Sequence, residues 1–458
     1  MNLNKDAFLM THFPMVTRLS KQKYIYQRMV VVGKDEKPVK GIFLFMQFTS
    51  SAQVSTSTDL HLSFNITLVN NYWNRKNGTM LAEWLSLRHP HAYNKNIWTS
   101  KPENSIPSYI DDYLSELICA HIRCIHAISE GDAALAYNEQ SNTVQIFIRI
   151  FQYYKEENWL LPVMNTVCLE LRLIAGKVES LPVKGSHNSA IKPREALEKA
   201  AETLMTCFRI CSSDNRSSEQ DTKRWGMLSL VNQLFKLYFR INKLHLMKPL
   251  IRAIDSSPLK EKFPLSQQVT YRYYVGRKAM FDSDYNSANE NLTFAFQSCH
   301  KMSKKNKRLI LIYLVPLKIL LGYLPKRSLL EKYDLLQLWE VGEAVRCGNS
   351  SRLTDAIEVH QEFFIKTGIY LILERLRLVT YRNLFKKVFL ITKNSVVQLE
   401  DLLTALRFSE SPDIELEEAN CILANLIHQG KVKGYISHSH QKVVFSKTDA
   451  FPKLSSLT

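Results

Sequence analysis

Glycine and proline are scarce in this chain, at 14 and 15 of 458 residues, which excludes a turn-rich β architecture over most of its length. Paired cysteines are missing. The eight present are scattered at 119, 124, 168, 207, 211, 299, 347 and 421, none in a C-x-x-C pair, whereas a structural zinc usually takes two tight ligand pairs. No metal and no cofactor are expected. The thiols read as reduced and mostly buried, as in an intracellular protein, with Cys168 and Cys421 on apolar helix faces. A membrane-spanning run is lacking too. Residues 1–21 have no continuous apolar core of a secretory leader. The greasiest stretch, Leu309 to Leu324, is short and holds Pro316 and Lys318, where a spanning helix needs about 20 apolar residues. It reads as a buried helix, and no membrane insertion is expected. Acidic residues are also in deficit. Against 43 Asp+Glu stand 60 Lys+Arg, a net charge of +17, which points to an anionic partner, either nucleic acid or an acidic protein.

What is present is ordinary globular material, 45% hydrophobic and 22% charged, so wholesale disorder is excluded. Residues 1–68 stand apart as an extension that is either a small β unit or unstructured. Tyr24–Val32, Gly41–Phe48 and His61–Val69 are rich in β-branched and aromatic residues, as strands are, around a small polar stretch at 50–57. From Asn71 the pattern turns helical. Helical runs are broken at Gly131-Asp132, Asp282-Ser283-Asp284 and Cys347-Gly348-Asn349, and each time a second run resumes. Helix, short turn with Gly or Asp, antiparallel helix is the unit of a helical-repeat stack similar to tetratricopeptide repeats. Ser180–Ser189 and Ser212–Ser218 are linker candidates.

The last 70 residues change again. Tyr381–Thr392 reads as a helix with Leu384, Val388 and Ile391 on one side, and Val396–Leu399 as an extended piece. Leu399, Leu402, Leu403 and Leu406, then Ala419, Ile422, Leu423 and Leu426, keep helical spacing across a break at Ser411-Pro412-Asp413. Lys433–Ser437 and Lys442–Ser446 flank a polar turn. Helix, strand, helix, helix, β-hairpin is the order of a winged helix. The fold class is therefore mostly α, a repeat stack ending in a winged helix. Boundaries are expected at 69–262 for N-terminal repeats, 263–378 for further repeats, 379–450 for the winged helix and 451–458 for a tail.

That architecture resembles PCI domains, the scaffolds of the proteasome lid, signalosome and initiation-factor-three complexes. The wording of residues 155–172, 225–257, 269–285, 380–390 and 421–447, with RHPHAYN at 88–94, resembles the PCI domain-containing protein 2 family, which includes the yeast Thp-one subunit and the signalosome-subunit-twelve-like proteins. The similarity runs from near Asn71 to the C-terminus, and residues 1–70 depart from it. The resemblance implies a non-enzymatic subunit of the nuclear transcription-and-export complex two. Such a subunit pairs its winged helix with a large PCI scaffold of the Sac-three or germinal-centre-associated type. It holds the small acidic Sem-one (Dss-one) protein and binds RNA and DNA. A nuclear location is implied, with nuclear-pore association and a cytoplasmic pool. The alternative is a protein-only PCI subunit of a signalosome-like or lid-like assembly.

The residues add their own evidence. From Lys366 to Lys393 lie seven cations, Lys366, Arg375, Arg377, Arg382, Lys386, Lys387 and Lys393, against one acid, Glu374; Lys431, Lys433, Lys442 and Lys447 follow near the hairpin. Lined up, they would form a salt-dependent phosphate channel; the competing reading is a solvated face or contacts to an acidic partner. The helix that would enter a major groove opens with Glu415, Glu417 and Glu418, so binding is expected to be largely sequence-independent. Lys236, Arg240, Lys243, Lys248 and Arg252 form a second acid-free stripe. Charge leaves it even between an acidic-partner site and ordinary surface, and the family resemblance favours the acidic partner. The run 304–308 reads as a nuclear import signal or as the start of the helix behind it. His438, His440, Ser446 and Asp449 echo a metalloisopeptidase motif, but the gap is five residues instead of seven, and zinc needs its ligands at fixed geometry. Tyr271, Tyr273 and Tyr274 read as packing residues more readily than as base-stacking ones.

Overall fold

The structure, a computed structural model, describes residues 58–180, 193–216 and 219–456. They fall into two compact units that divide between Gln268 and Val269. The first contains α1 (Thr58–Asn74), α2 (Gly78–Trp84), α3 (Asp112–Ser129), α4 (Ala133–Tyr153), α5 (Leu161–Ser180), α6 (Pro193–Ser212), α7 (Met227–Ile241) and α8 (Met247–Asp255). α9 (Leu265–Phe281) crosses the boundary. The second continues with α10 (Tyr285–Ser298), α11 (Lys304–Leu320), α12 (Arg327–Lys332), α13 (Gln337–Cys347), α14 (Ser350–Val359), α15 (Gln361–Thr367) and α16 (Tyr370–Glu374). It ends in α17 (Leu376–Thr392), β1 (Val396–Gln398), α18 (Leu399–Ser409), α19 (Leu416–His428), β2 (Gly434–Ser437) and β3 (Lys442–Phe445). This is the mostly helical stack with a terminal winged helix that the sequence predicts.

One local device makes the repeat turns. A residue in the left-handed region ends a helix, and the Asx side chain after it caps the next. Gly131 (φ +77°) precedes Asp132, which accepts from Ala134 N and Leu135 N at 3.0 and 2.9 Å; Ser283 (φ +66°) precedes Asp284, which accepts from Ser287 N at 3.1 Å. Gly348 (φ +70°) precedes Asn349, which accepts from Arg352 N at 2.8 Å. The side-chain oxygens satisfy amides that a helix start leaves orphaned. A fourth copy, Lys76 (φ +51°) and Asn77 accepting from Met80 N at 3.1 Å, escapes sequence reading because lysine does not advertise that conformation.

Several expectations need correction. His61–Val69 is not a strand but the middle of α1. Ile66, Val69 and Trp73 are buried at helical spacing, and that burial overrides β propensity. The segments 24–32, 41–48 and 50–57, and the linker candidate beyond Ser180, lie outside the described residues. The described part of the second linker is pinned: Asp214 accepts from Arg216 Nε and Nη2, Thr222 Oγ1 and Lys223 N, the last at 2.6 Å. Cys421 is exposed rather than on a packed face, while six of the other cysteines are buried. Residues 451–454, expected as a tail, pack: Leu454 is buried.

Tyr271, Tyr273 and Tyr274 are core residues, as expected, with the buried Arg277 guanidinium 4.4 Å from the Tyr313 ring centroid. The run at 304–308 is the first turn of α11. Lys307 is buried and donates to Phe296 O at 3.0 Å, and Arg308 donates to Asp334 O at 3.2 Å, so half its cations are tied into the fold. Among the described residues no helix is long and apolar enough to cross a membrane.

The RHPHAYN segment builds a chain of imidazoles. His91 Nδ1 lies 2.7 Å from His89 Nδ1, its Nε2 lies 3.0 Å from His121 Nε2, and Trp84 stacks on it at 4.6 Å. Burial, then the neighbouring imidazoles, push His91 down to about 2; burial, then His89, takes His121 to about 3. The unfolded chain protonates these groups near pH 6.5 and the fold does not, so it takes up protons that the fold refuses as pH falls. The stability they contribute is whole above that pH and lost below it, at roughly 2–3 kcal/mol per pH unit for the pair. Urea midpoints should therefore drop between pH 7 and pH 5, before most carboxylates titrate; a flat profile would contradict the neutral cluster.

Candidate nucleic-acid and partner interface

The winged helix closes on its own core. Phe385 of α17, Leu399, Leu402, Leu403 and Leu406 of α18, Leu423 and Leu426 of α19, and Val397, Val443 and Phe445 of the sheet are all buried together. The strands pair antiparallel in the order β1-β3-β2. This core fixes the direction of every charged residue around it.

The structure sorts nine of the eleven expected phosphate contacts into distinct fates. Arg382 is corrected outright: it is 6% exposed, and its guanidinium donates to Lys431 O at 3.2 Å, Phe451 O at 3.1 Å, Pro452 O at 2.7 Å and Asn383 Oδ1 at 3.1 Å. It ties the wing and the C-terminal residues to α17 and has no fork left for a phosphate. Arg382 and Lys386 lie four residues apart on α17, yet Arg382 turns inward and Lys386 outward. Arg375 is exposed yet donates to Ser283 Oγ at 2.8 Å and to the Tyr285 hydroxyl. Arg377 lies within 3.6 Å of Glu374 and 3.7 Å of Glu410. Lys387 caps α13 through Cys347 O at 2.8 Å, Lys431 is half-buried against Gln429, and Lys433 pairs with Asp449 at 3.1 Å. Burial, then Arg382, lowers the Lys431 amine below its usual value. Lys386 and Lys393 are exposed and Lys442 half-exposed; among the described residues no ion pair engages them.

Apolar side chains are exposed in the same domain. Leu390 is 58% and Ile391 79% exposed at the end of α17, and Phe408 is 92% exposed at the end of α18. Ile391 thus leaves the packed stripe, while Leu384 and Val388 pack on the core. Phe408 falls outside the 399, 402, 403, 406 spacing, and that was the available signal that it faces out. At the start of α19, Glu415, Glu417 and Glu418 are exposed, and no Lys or Arg occurs between Arg407 and Lys431. The hairpin tip carries His438 and His440 in the open, and Asp449 is engaged by Lys433.

The second basic stripe is divided by the fold. Asn242 (φ +58°) ends α7, so Lys243 leaves the face shared by Lys236 and Arg240, and Lys248 and Arg252 belong to α8. Arg240 already pairs with Glu179 and Lys243 with Glu198, the latter at 3.0 Å. Lys236 is partly buried; desolvation, then Arg172, pulls its amine down to about 8. Lys248 and Arg252 are exposed, one turn apart, and among the described residues no ion pair engages them.

The PCI domain profile matches residues 355–447. The chain is 51% identical over 382 residues to PCI domain-containing protein 2 of Xenopus laevis, covering 83% of this chain and 95% of that protein. It is 48% identical over 380 residues to the homolog of the same name in Drosophila melanogaster, covering 82% and 95%. It is 33% identical over 347 residues to Protein CSN12 homolog of Mycosarcoma maydis, covering 71% and 76%.

Proposed function

The chain belongs to the PCI domain-containing protein 2 family, and from that premise we propose that it is a non-enzymatic scaffold subunit of a nuclear mRNA-export complex. In this reading its winged helix pairs with a larger PCI chain and also contributes a basic surface that binds RNA and DNA largely without regard to sequence. The observation that carries it is the end of α17, where Lys386 and Lys393 stand free beside exposed Leu390 and Ile391. Cations unclaimed by intramolecular carboxylates suit phosphates, and the neighbouring apolar side chains suit a protein partner. Lys248 and Arg252, with the partly buried Lys236, are the part of the other stripe that remains for an acidic Sem-one-type chain. The reading places the protein in the nucleus and at the pore.

Salt-titrated binding of fluorescent oligonucleotides tests the basic surface. Reversing Lys386, Lys393 and Lys442 to glutamate should lower affinity roughly 100-fold at low salt and flatten the log–log salt slope by about 2. Unchanged affinity and slope would favour the protein-only PCI subunit.

A further inference from the structure

The strand register assigns a side of the sheet to every wing residue. Val397, Val443 and Ile436 pair across the three strands, and the first two are fully buried against the helices. Alternation then sends their neighbours outward. The pairs Val396↔Val444 and Tyr435↔Val444 make one outward row, Val396–Val444–Tyr435, and Gln398↔Lys442 and Ser437↔Lys442 make the next. Tyr435 is 62% and Val396 40% exposed, so the row is open to solvent. Lys433 lies two residues before Tyr435 on the same side, and its carbonyl accepts from Ser446 N at 2.9 Å, which carries the ladder past the end of β2. The face is thus an exposed tyrosine on an apolar strip, with Lys433 and Lys442 each two positions away along the strands, about 7 Å at the backbone.

We infer that this outer sheet face is a stacking platform for single-stranded nucleic acid. The inference rests on the nucleic-acid reading above and narrows it to a strand class and a contact residue. An aromatic ring on an open sheet takes the face of an unstacked base, and flanking lysines take the phosphates on either side. A duplex keeps its base faces inside the stack and offers none to Tyr435. The usual duplex route is also closed: α19 presents Glu415, Glu417 and Glu418 and no cation, so phosphates are repelled where a reading helix would enter the groove. Among the described residues the Lys433 ammonium is held by an exposed pair with Asp449, worth little in water, and can exchange it for a phosphate. A protein partner fits the face less well. Its apolar row is one residue wide, whereas Leu390, Ile391 and Phe408 expose more apolar surface.

The test uses the full chain, a fluorescent 20-nucleotide single strand and the matching duplex, with Tyr435→Ala and Tyr435→Phe compared to the parent. Tyr435→Ala should weaken single-strand binding about 10-fold, leave its salt slope unchanged, and leave duplex binding as it was; Tyr435→Phe should restore the parent affinity. The exposed position makes loss of folding no confounder, and an unchanged melting temperature confirms that. If Tyr435→Ala binds the single strand like the parent while the lysine reversals at 386 and 393 abolish binding, the platform is overturned and the basic surface stands. If neither set of changes alters binding, both fail. Equal weakening on duplex and single strand also overturns the platform, as does loss of a PCI partner chain with nucleic-acid binding intact.

Discussion

Alanine at position 382 is expected to melt the winged helix about 10 °C below the parent. The guanidinium is buried and satisfies the carbonyls of Lys431, Phe451 and Pro452 at once. Each orphaned buried acceptor costs about 1–3 kcal/mol, and the void left by the side chain adds to that, so a loss of about 3–5 kcal/mol is expected. Lysine should not rescue, because a single ammonium cannot span three acceptors held by a planar fork. Lys386→Ala, on the exposed side of the same helix, should stay within about 0.5 kcal/mol. Differential scanning calorimetry of the three variants checks this, and an Arg382→Ala midpoint within about 2 °C of the parent would sink the clamp. It follows that charge reversal at Arg382 reports on folding, while Lys386 and Lys393 report on polyanion binding.

Gly78→Ala should be the most damaging single methyl in the first unit. Its added carbon would sit 1.7 Å from Trp159 O and 2.8 Å from the carbonyl carbon, so backbone must move. The movement cannot stay local. The Trp159 ring sits edge-on to Trp73 at 5.5 Å and to Tyr154 at 5.8 Å, and a close-packed cluster passes such a shift on. A loss of about 3 kcal/mol or more is expected, visible as a lower urea midpoint with a changed near-ultraviolet tryptophan signal. Gly131→Ala gives the contrast: nothing lies within 4 Å of the new carbon, and only the φ of +77° opposes it, for about 1 kcal/mol. Equal effects at the two sites would refute the steric account.

The repeat turns and the winged-helix order could be read from the chain because both are local. A Gly or Asp beside an Asx cap, and leucines at 399, 402, 403 and 406, carry their meaning within one turn of helix. The inward turn of Arg382 is illegible for the opposite reason. Its acceptors Phe451 and Pro452 lie 69 and 70 residues further along, and nothing near 382 distinguishes an arginine that turns inward from one that faces water. The stripe through Lys243 reads as continuous because Asn242 ends α7 in a left-handed conformation that asparagine adopts only in some contexts. The segment 61–69 reads as a strand, yet its β-branched and aromatic residues also satisfy a helical burial pattern once Trp73 is counted. The outer sheet face needed the register, which a sequence leaves one residue in doubt and a single slip would invert.

The wing is anchored by residues beyond the matched domain. Lys433 N donates to Ala450 O at 2.8 Å, the Phe451 ring lies 5.6 Å from Phe389 and 5.4 Å from Phe445, and Leu454 sits against Gly322. A stop codon or protease cut after residue 447 would leave the family signature whole and still strip the roof from the hairpin. Fragments for expression, and reading frames judged intact by signature alone, have to run through Leu454 to carry a working wing.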